Sequence, residues 1–274
     1  MPIKRGNIMS NNLVLVEKKG SIATLTLNRP EKGNALSPAL LVELYQAMHS
    51  IKDDTQIRVV VITGSGEKAF SAGFDIGHIP AEKITPELEQ ALKTVDISGL
   101  GYGSAADYPY PVIAMINGYA YGAGLELITG CDIRIAVDTA KFGMPPARLG
   151  VLYPPSGILH FINVVGVANT KELFLTARPV TAQRAREMGL VNYVVPREQL
   201  SSVTYEMAQK ISDNAPLALS GSKTIISKLL NYQKLSAEDG EELAVLLSRV
   251  ASSEDSKEGQ RAFWEKRKPV FKGK

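Results

Sequence analysis

Two short apolar runs constrain this chain most: RVVVIT at residues 58–63 and PVIAMI at residues 111–116. Neither alternates polar with apolar residues, so each reads as a strand covered on both faces, a property of parallel sheets flanked by helices. Each run ends in a turn, Gly64-Ser65-Gly66 and Asn117-Gly118. Ahead of the first, residues 14–16 and 22–27 read as a hairpin around Lys18, Lys19 and Gly20, and Asn28-Arg29-Pro30 stops its second strand. Ser37-Pro38 places an N-cap before a proline at the first helical position, and Leu40, Leu41, Leu44 and Met48 carry a helix to about Ile51. After the second run, residues 122–129 read as the start of an apolar helix and 132–136 as another strand. The pattern recurs, which predicts a repeating α/β architecture.

Between the two units, residues 80–110 are polar, helix-prone and rich in Gly and Tyr near their end, which predicts an inserted mobile segment bordering a ligand. From Pro154 onward helical signals dominate, at 156–165, 169–176, 181–188, 200–214, 216–230 and 237–252. Thr181 is placed to cap its helix and Gly189 to close it. The 274 residues, 45% of them hydrophobic, suffice for one sizeable core, and no long Gly/Pro linker marks a second domain. The start, MPIKRGNIMSNN, lacks the apolar run of a secretory signal and reads as a loose tail. Later apolar stretches are broken well before the roughly 18 residues of a membrane helix, so no membrane partner and a cytoplasmic location are expected. A single cysteine, Cys131, cannot form an internal disulfide, and His49, His78 and His160 show no metal-ligand spacing. The net charge of +3 is too mild to imply nucleic acid without a local basic cluster.

Two glycine-containing loops follow the buried strands: Phe70-Ser71-Ala72-Gly73-Phe74-Asp75-Ile76 and Tyr119-Ala120-Tyr121-Gly122-Ala123-Gly124-Leu125-Glu126. Each is positioned to present backbone N–H groups at a helix start, where they favour an anion. Either loop alone is equally well a tight turn; if the two converge, they form an oxyanion hole. Neither ends in Gly-Lys-Ser/Thr, and the second misses the dinucleotide pattern, which disfavours nucleotide hydrolysis and hydride transfer.

The segments FSAGFDI, INGYAYGAGLELITGCDIRIA, KFGMPPARLG and EGQRAFWEKRKPVF resemble the enoyl-CoA hydratase/isomerase (crotonase) family, and the likeness spans the chain from about Leu13. The resemblance implies an α/β fold: a spiral of repeated ββα units over 13–200 after a tail at 1–12, then a helical trimerisation region over 201–274. It implies homotrimers, often paired into hexamers, and an acyl-CoA thioester substrate. No permanently bound cofactor is expected, coenzyme A entering as part of the substrate. Family members hold the thioester oxygen with two main-chain amides, which fall here on Phe74 and Ala123. Hydratases add two glutamates; the first matches Glu126, whereas the second position holds Pro146. Residues 150–153, 173–177, 179–185 and 265–269 are similar to the branch that decarboxylates methylmalonyl-CoA, in which a tyrosine at the position of Tyr153 holds the substrate carboxylate. That branch carries histidine where this chain has Phe74. Apolar Met144, Pro146 and Leu152 would keep water away from such a carboxylate. By the same resemblance Arg29, Lys32, Phe263 and Lys266 fall near coenzyme A, and Ala72, Asp75, Ile76 and Gly122 along the substrate.

The resemblance leaves two other readings: a hydratase or isomerase with Glu126 as sole catalytic carboxylate, and a non-catalytic RNA-binding relative. Structural roles are expected for several polar residues. Asp75 reads as a cap or loop-fixing residue, Asp132 as a strand cap or partner of Arg134, His78 as a surface or entrance residue, and Cys131 as a small core residue. His160, in an apolar run, reads as a satisfied core histidine.

Overall fold

In the computed structural model, which describes residues 12–75, 97–230 and 237–272, β1 (Val14–Lys19) and β2 (Ile22–Leu27) form the opening hairpin, with Lys19 opposite Ile22. Only Gly20 and Ser21 remain for the turn, and Gly20 takes φ +58°, as such a two-residue connection requires. Lys18 and Lys19, assigned to the turn by sequence, lie in β1; this edge strand is exposed beyond Val14 and tolerates charge. A 3-10 turn at Pro30–Lys32 leads into α1 (Pro38–Lys52). Ser37 Oγ caps α1 by accepting from Leu40 N at 3.3 Å, and Leu40, Leu41, Leu44, Met48 and Ile51 form its buried stripe.

The chain then repeats one scheme, a strand in a large sheet, a short strand in a second sheet and a helix. β3 (Val59–Gly64) and β4 (Ala69–Ser71) precede α2 (Ile97–Ala106); β5 (Val112–Ile116) and β6 (Tyr119–Tyr121) precede α3 (Ala123–Thr129). β7 (Ile133–Val137) and β8 (Lys141–Gly143) precede α4 (Pro155–Thr176). With β9 (Val180–Thr181) and β10 (Tyr193–Val195), the large sheet has the order β1-β2-β3-β5-β7-β10 and the small one β4-β6-β8-β9. Every strand of the large sheet after β1 runs parallel to its neighbour, and all of β3 is buried, as its unbroken apolar run predicts. This is the α/β architecture of ββα units, followed by helices, that the family resemblance implies. The three-residue strands β4, β6 and β8 are too short to show a period in sequence, yet they set the directions of the loops that follow them.

Residues 97–110 correct one expectation. They are not part of a mobile insert: α2 packs on α1 and α3, and Leu100, Ala105 and Tyr108 belong to the core. Tyr108 donates from its hydroxyl to Ile51 O at 3.2 Å. The glycines that suggested a loop instead permit close helix packing, with Gly101 against Leu41 and Leu127. Residues 76–96, with Ile76 and His78, lie outside the described residues.

α4 carries the two helices read at 156–165 and 169–176, broken at Gly166 by φ +73°. By length and composition it is long and apolar enough to cross a membrane, the one such helix among the described residues. Here it is kinked, and Phe161 and Leu173 are fully buried in the core. Thr181 caps α5 (Ala182–Glu187) by accepting from Arg184 N. α6 (Arg197–Ser212) straddles the boundary read at residue 200 and packs on the large sheet; Tyr205 Oη meets Thr24 Oγ1 at 2.8 Å, and Arg58 Nη1 donates to Ser212 O. α7 (Pro216–Leu230) and α8 (Ala237–Ala251) precede α9 (Glu254–Trp264), a helix the sequence reading missed. The buried residues of α9 are Ser256, Gly259 and Ala262, which carry no hydrophobic period.

Asp132 pairs with Lys223 Nζ at 2.6 Å and accepts from Val112 N at 2.7 Å. Arg134, the partner considered from sequence, instead donates to Leu190 O and Cys131 O. Lys223 also donates to Ala105 O and Tyr110 O, which pins α7 to the core. Cys131 is buried, and burial pushes its thiol up to about 12.

Candidate active site

The first glycine loop leaves β4 at Ser71 and turns at Gly73, which has φ +102°. Its backbone is held from outside: Leu36 N donates to Gly73 O at 2.8 Å and Asp75 N to Leu36 O at 3.0 Å. In such a parallel bridge the bonds go to the residues flanking Phe74, so the amide of Phe74 itself faces the other way. It donates to no group among the described residues. Arg29 secures the loop by donating from Nη1 to Asp75 Oδ2 at 2.9 Å and Ala35 O at 2.8 Å. Asp75 therefore fixes the loop, as one of its sequence readings has it.

The second loop is fixed by Gly122 N donating to Gly143 O, and Gly122 adopts φ +52° and ψ −125° as it opens α3. The amide of Ala123, first in the helix, has no acceptor among the described residues. The two loops touch because both turns are glycine. A Cβ on Gly73 would lie 2.7 Å from Tyr121 O and 3.6 Å from Ala123 N, and one on Gly122 would lie 3.9 Å from Gly73 Cα.

A cavity of about 750 Å³ opens over this junction, and Phe74 and Ala123 both line it. Its wall is largely apolar, with Leu36, Leu41, Pro145, Pro146, Leu149, Val151 and Leu152. Charge on the wall comes from Lys32 and from Asp75, the partner of Arg29. Phe263 and Trp264 of α9 add an exposed edge-to-face aromatic pair, with centroids 5.8 Å apart.

Behind the wall lies a polar network. Glu126, one turn into α3, is only 4% exposed. Its Oε2 accepts from the Tyr153 hydroxyl, and its Oε1 lies 3.1 Å from His160 Nδ1. Burial first, then the Glu126 charge and hydrogen bond, hold the Tyr153 phenol far above the ordinary tyrosine range, so Tyr153 stays a neutral donor. Tyr153 forms part of the cavity wall, which makes it the link between the cavity and Glu126. The His160 ring stacks on Tyr102 with centroids 3.4 Å apart and planes 4° from parallel. Burial, and then the charges of Asp107, Glu126 and Asp132, likewise raise Tyr102.

Of the residues singled out from sequence, Lys32, Ala72, Phe74, Asp75, Gly122, Ala123, Pro146, Leu152, Tyr153 and Phe263 line one cavity. Glu126 sits behind it. Arg29 stands off the wall in its pair with Asp75, and Lys266 is exposed and also off the wall. His160 is satisfied, as its sequence reading expects, and the partner that satisfies it is Glu126. Sequence reasoning missed Tyr102, Gly157 and Trp264. The family segment at the tail contained the one usable signal, for Trp264; contacts across 34 positions, such as His160 with Glu126, leave no local pattern.

The sequence matches the enoyl-CoA hydratase/isomerase family over residues 17–274, and the chain belongs to that family. It is 36% identical over 265 residues to the putative enoyl-CoA hydratase/isomerase YngF of Bacillus subtilis (strain 168), covering 97% of this chain and 100% of that one. It is 35% identical over 271 residues to methylmalonyl-CoA decarboxylase of Escherichia coli (strain K12), again covering 97% and 100%. The crystal structure of methylmalonyl-CoA decarboxylase complexed with 2S-carboxypropyl CoA superposes with a TM-score of 0.88 at 36% identity, covering 97% of this chain and 100% of the other.

Proposed function

We propose that this enzyme generates a thioester enolate from an acyl-CoA, and that its reaction is decarboxylation of methylmalonyl-CoA or a similar malonyl-type thioester. The observation that carries the proposal is the pair of amides, Phe74 N and Ala123 N, with no acceptor among the described residues and lining one apolar cavity beside Tyr153. Two such donors stabilise a developing oxyanion, each worth about 3 to 4 kcal/mol of barrier. The bond from the α-carbon to the carboxylate breaks, its electron pair moves onto the thioester oxygen, carbon dioxide leaves, and the α-carbon takes up one proton. The first step needs no base. It needs the carboxylate turned out of the thioester plane in a site from which water is excluded. Tyr153 supplies one hydrogen bond for that purpose, with Pro146, Val151 and Leu152 on the same wall. The proton for the enolate comes from solvent, with Glu126 supporting its transfer directly or through water while Tyr153 keeps its own.

Likeness to the decarboxylase supports this reading, as does Pro146 where a hydratase has its second glutamate. Lys32 is the cation on the wall placed to meet coenzyme A phosphates, with Phe263 and Trp264 as apolar contacts for its adenine. A second reading, hydration or isomerisation with Glu126 alone, is favoured by the retained Glu126 and the likeness to YngF. Mass spectrometry of methylmalonyl-CoA and crotonyl-CoA incubations separates the two. Loss of carbon dioxide from the first, with the second unchanged, supports decarboxylation; hydration of crotonyl-CoA alone overturns it. Tyr153→Phe is expected to lower kcat on the malonyl-type substrate by about 10²-fold, and full turnover by that variant removes Tyr153 from the scheme.

The reading extends to assembly as a homotrimer or a hexamer. Leu217, Ile225, Ile226, Leu229 and Leu230 leave α7 with a broad exposed apolar surface, and none of its residues is buried. Sedimentation at micromolar concentration is expected to give three or six chains; a monomer contradicts it.

A further inference from the structure

We infer that His160 is a positioning residue of this site, holding Glu126 by Oε1 so that the Tyr153 hydroxyl is free to turn from Oε2 to the substrate. The inference rests on the reading that Tyr153 orients a substrate group. Tyr153 has one proton to donate, and in this structure it points at Glu126 rather than into the cavity. If the hydroxyl turns to a substrate anion, Glu126 loses that donor and is left as a carboxylate at 4% exposure close to a second negative charge. Among the described residues His160 is the other side chain bonded to Glu126, and its Nδ1 at 3.1 Å is placed to keep a donor on the carboxylate through the exchange.

The surroundings fix His160 in that role. Its ring lies flat on Tyr102, which sets the plane of the imidazole and aims Nδ1 at Glu126. Gly157, one turn earlier on α4, removes the side chain that would otherwise fill the space between them: a Cβ there would lie 2.5 Å from Tyr153 Cε1 and 3.0 Å from Glu126 Oε1. The first turns of α4 thus present a bare backbone to the Tyr153 ring and, three residues on, a nitrogen to the carboxylate it bonds. His160 is not among the residues that line the cavity, so it acts through Glu126 and Tyr153.

The test pairs His160→Phe, which keeps the ring on Tyr102 and removes the nitrogen, with His160→Asn, which keeps a short polar group near Nδ1. His160→Phe is expected to lower kcat roughly 30- to 100-fold with little change in KM, because a misplaced group costs rate up to about 10²-fold. His160→Asn is expected to recover most of that loss. A spectroscopic arm does not depend on turnover. In ¹⁵N-histidine-labelled protein, the imidazole signal absent from His160→Asn is expected to shift when Glu126→Gln is introduced. Wild-type kcat in His160→Phe, an equal loss in both variants, or a His160 signal indifferent to Glu126→Gln each overturns the inference. If the unaltered enzyme turns over no malonyl-type thioester, the functional reading fails, while the nitrogen spectrum still reports whether His160 is coupled to Glu126.

Discussion

Replacing Gly73 with alanine is expected to reduce kcat by about 10²- to 10³-fold, the cost of losing one oxyanion donor. The residue sits at φ +102°, a conformation that costs a side-chain-bearing residue on the order of 1 to 3 kcal/mol. The new Cβ would also lie 2.7 Å from Tyr121 O, a backbone atom with little freedom to yield. The loops must separate, and Phe74 N moves away from Ala123 N. Turnover of an acyl-CoA substrate, read beside thermal unfolding, separates lost geometry from lost fold. A folded Gly73→Ala enzyme with wild-type turnover would dissolve the case for a paired-amide site.

Gly157→Ala is expected to cost about 10²-fold in kcat, because its Cβ would lie 2.5 Å from Tyr153 Cε1 and displace the ring. Activity and stability should move apart. Alanine favours a helix over glycine by about 1 kcal/mol, which offsets part of the cost of pushing the ring aside. The loss of rate therefore exceeds what the thermal midpoint records. If the Gly157→Ala enzyme keeps both its rate and the Tyr153–Glu126 hydrogen bond in a crystal structure, the close packing of α4 on that pair has no catalytic consequence.

These expectations depend on features of unequal legibility. The buried strands were plain, because a continuous apolar run such as that of β3 has few ways to satisfy both its backbone and its side chains. The caps at Ser37 and Thr181 were plain as well, since a short hydroxyl beside a helix start acts within three residues. α2 was misread because its glycines, which signal turns locally, here serve close packing on α1 and α3. α9 escaped because Ser256, Gly259 and Ala262 bury no large side chain.

The amide pair shows the same division at the scale of the site. Phe74 and Ala123 were found through family motifs, and nothing in their side chains marks them, because the role proposed for them belongs to the backbone. That their two turns meet, at a distance a single Cβ would disturb, follows from how β4 and β6 pair in the small sheet.

Sequence by itself determined the long buried strands, most of the helices and the glycines that both turns require, and by family resemblance the proline at the position of a hydratase's second glutamate. It could do so because these signals act over a few neighbouring residues. Tertiary structure alone decided that Glu126 would be shared between Tyr153 and His160, and that Gly157 would make room for the ring. Such contacts join residues 27 and 34 positions apart, and only the packing of α4 against α3 brings them within hydrogen-bonding reach.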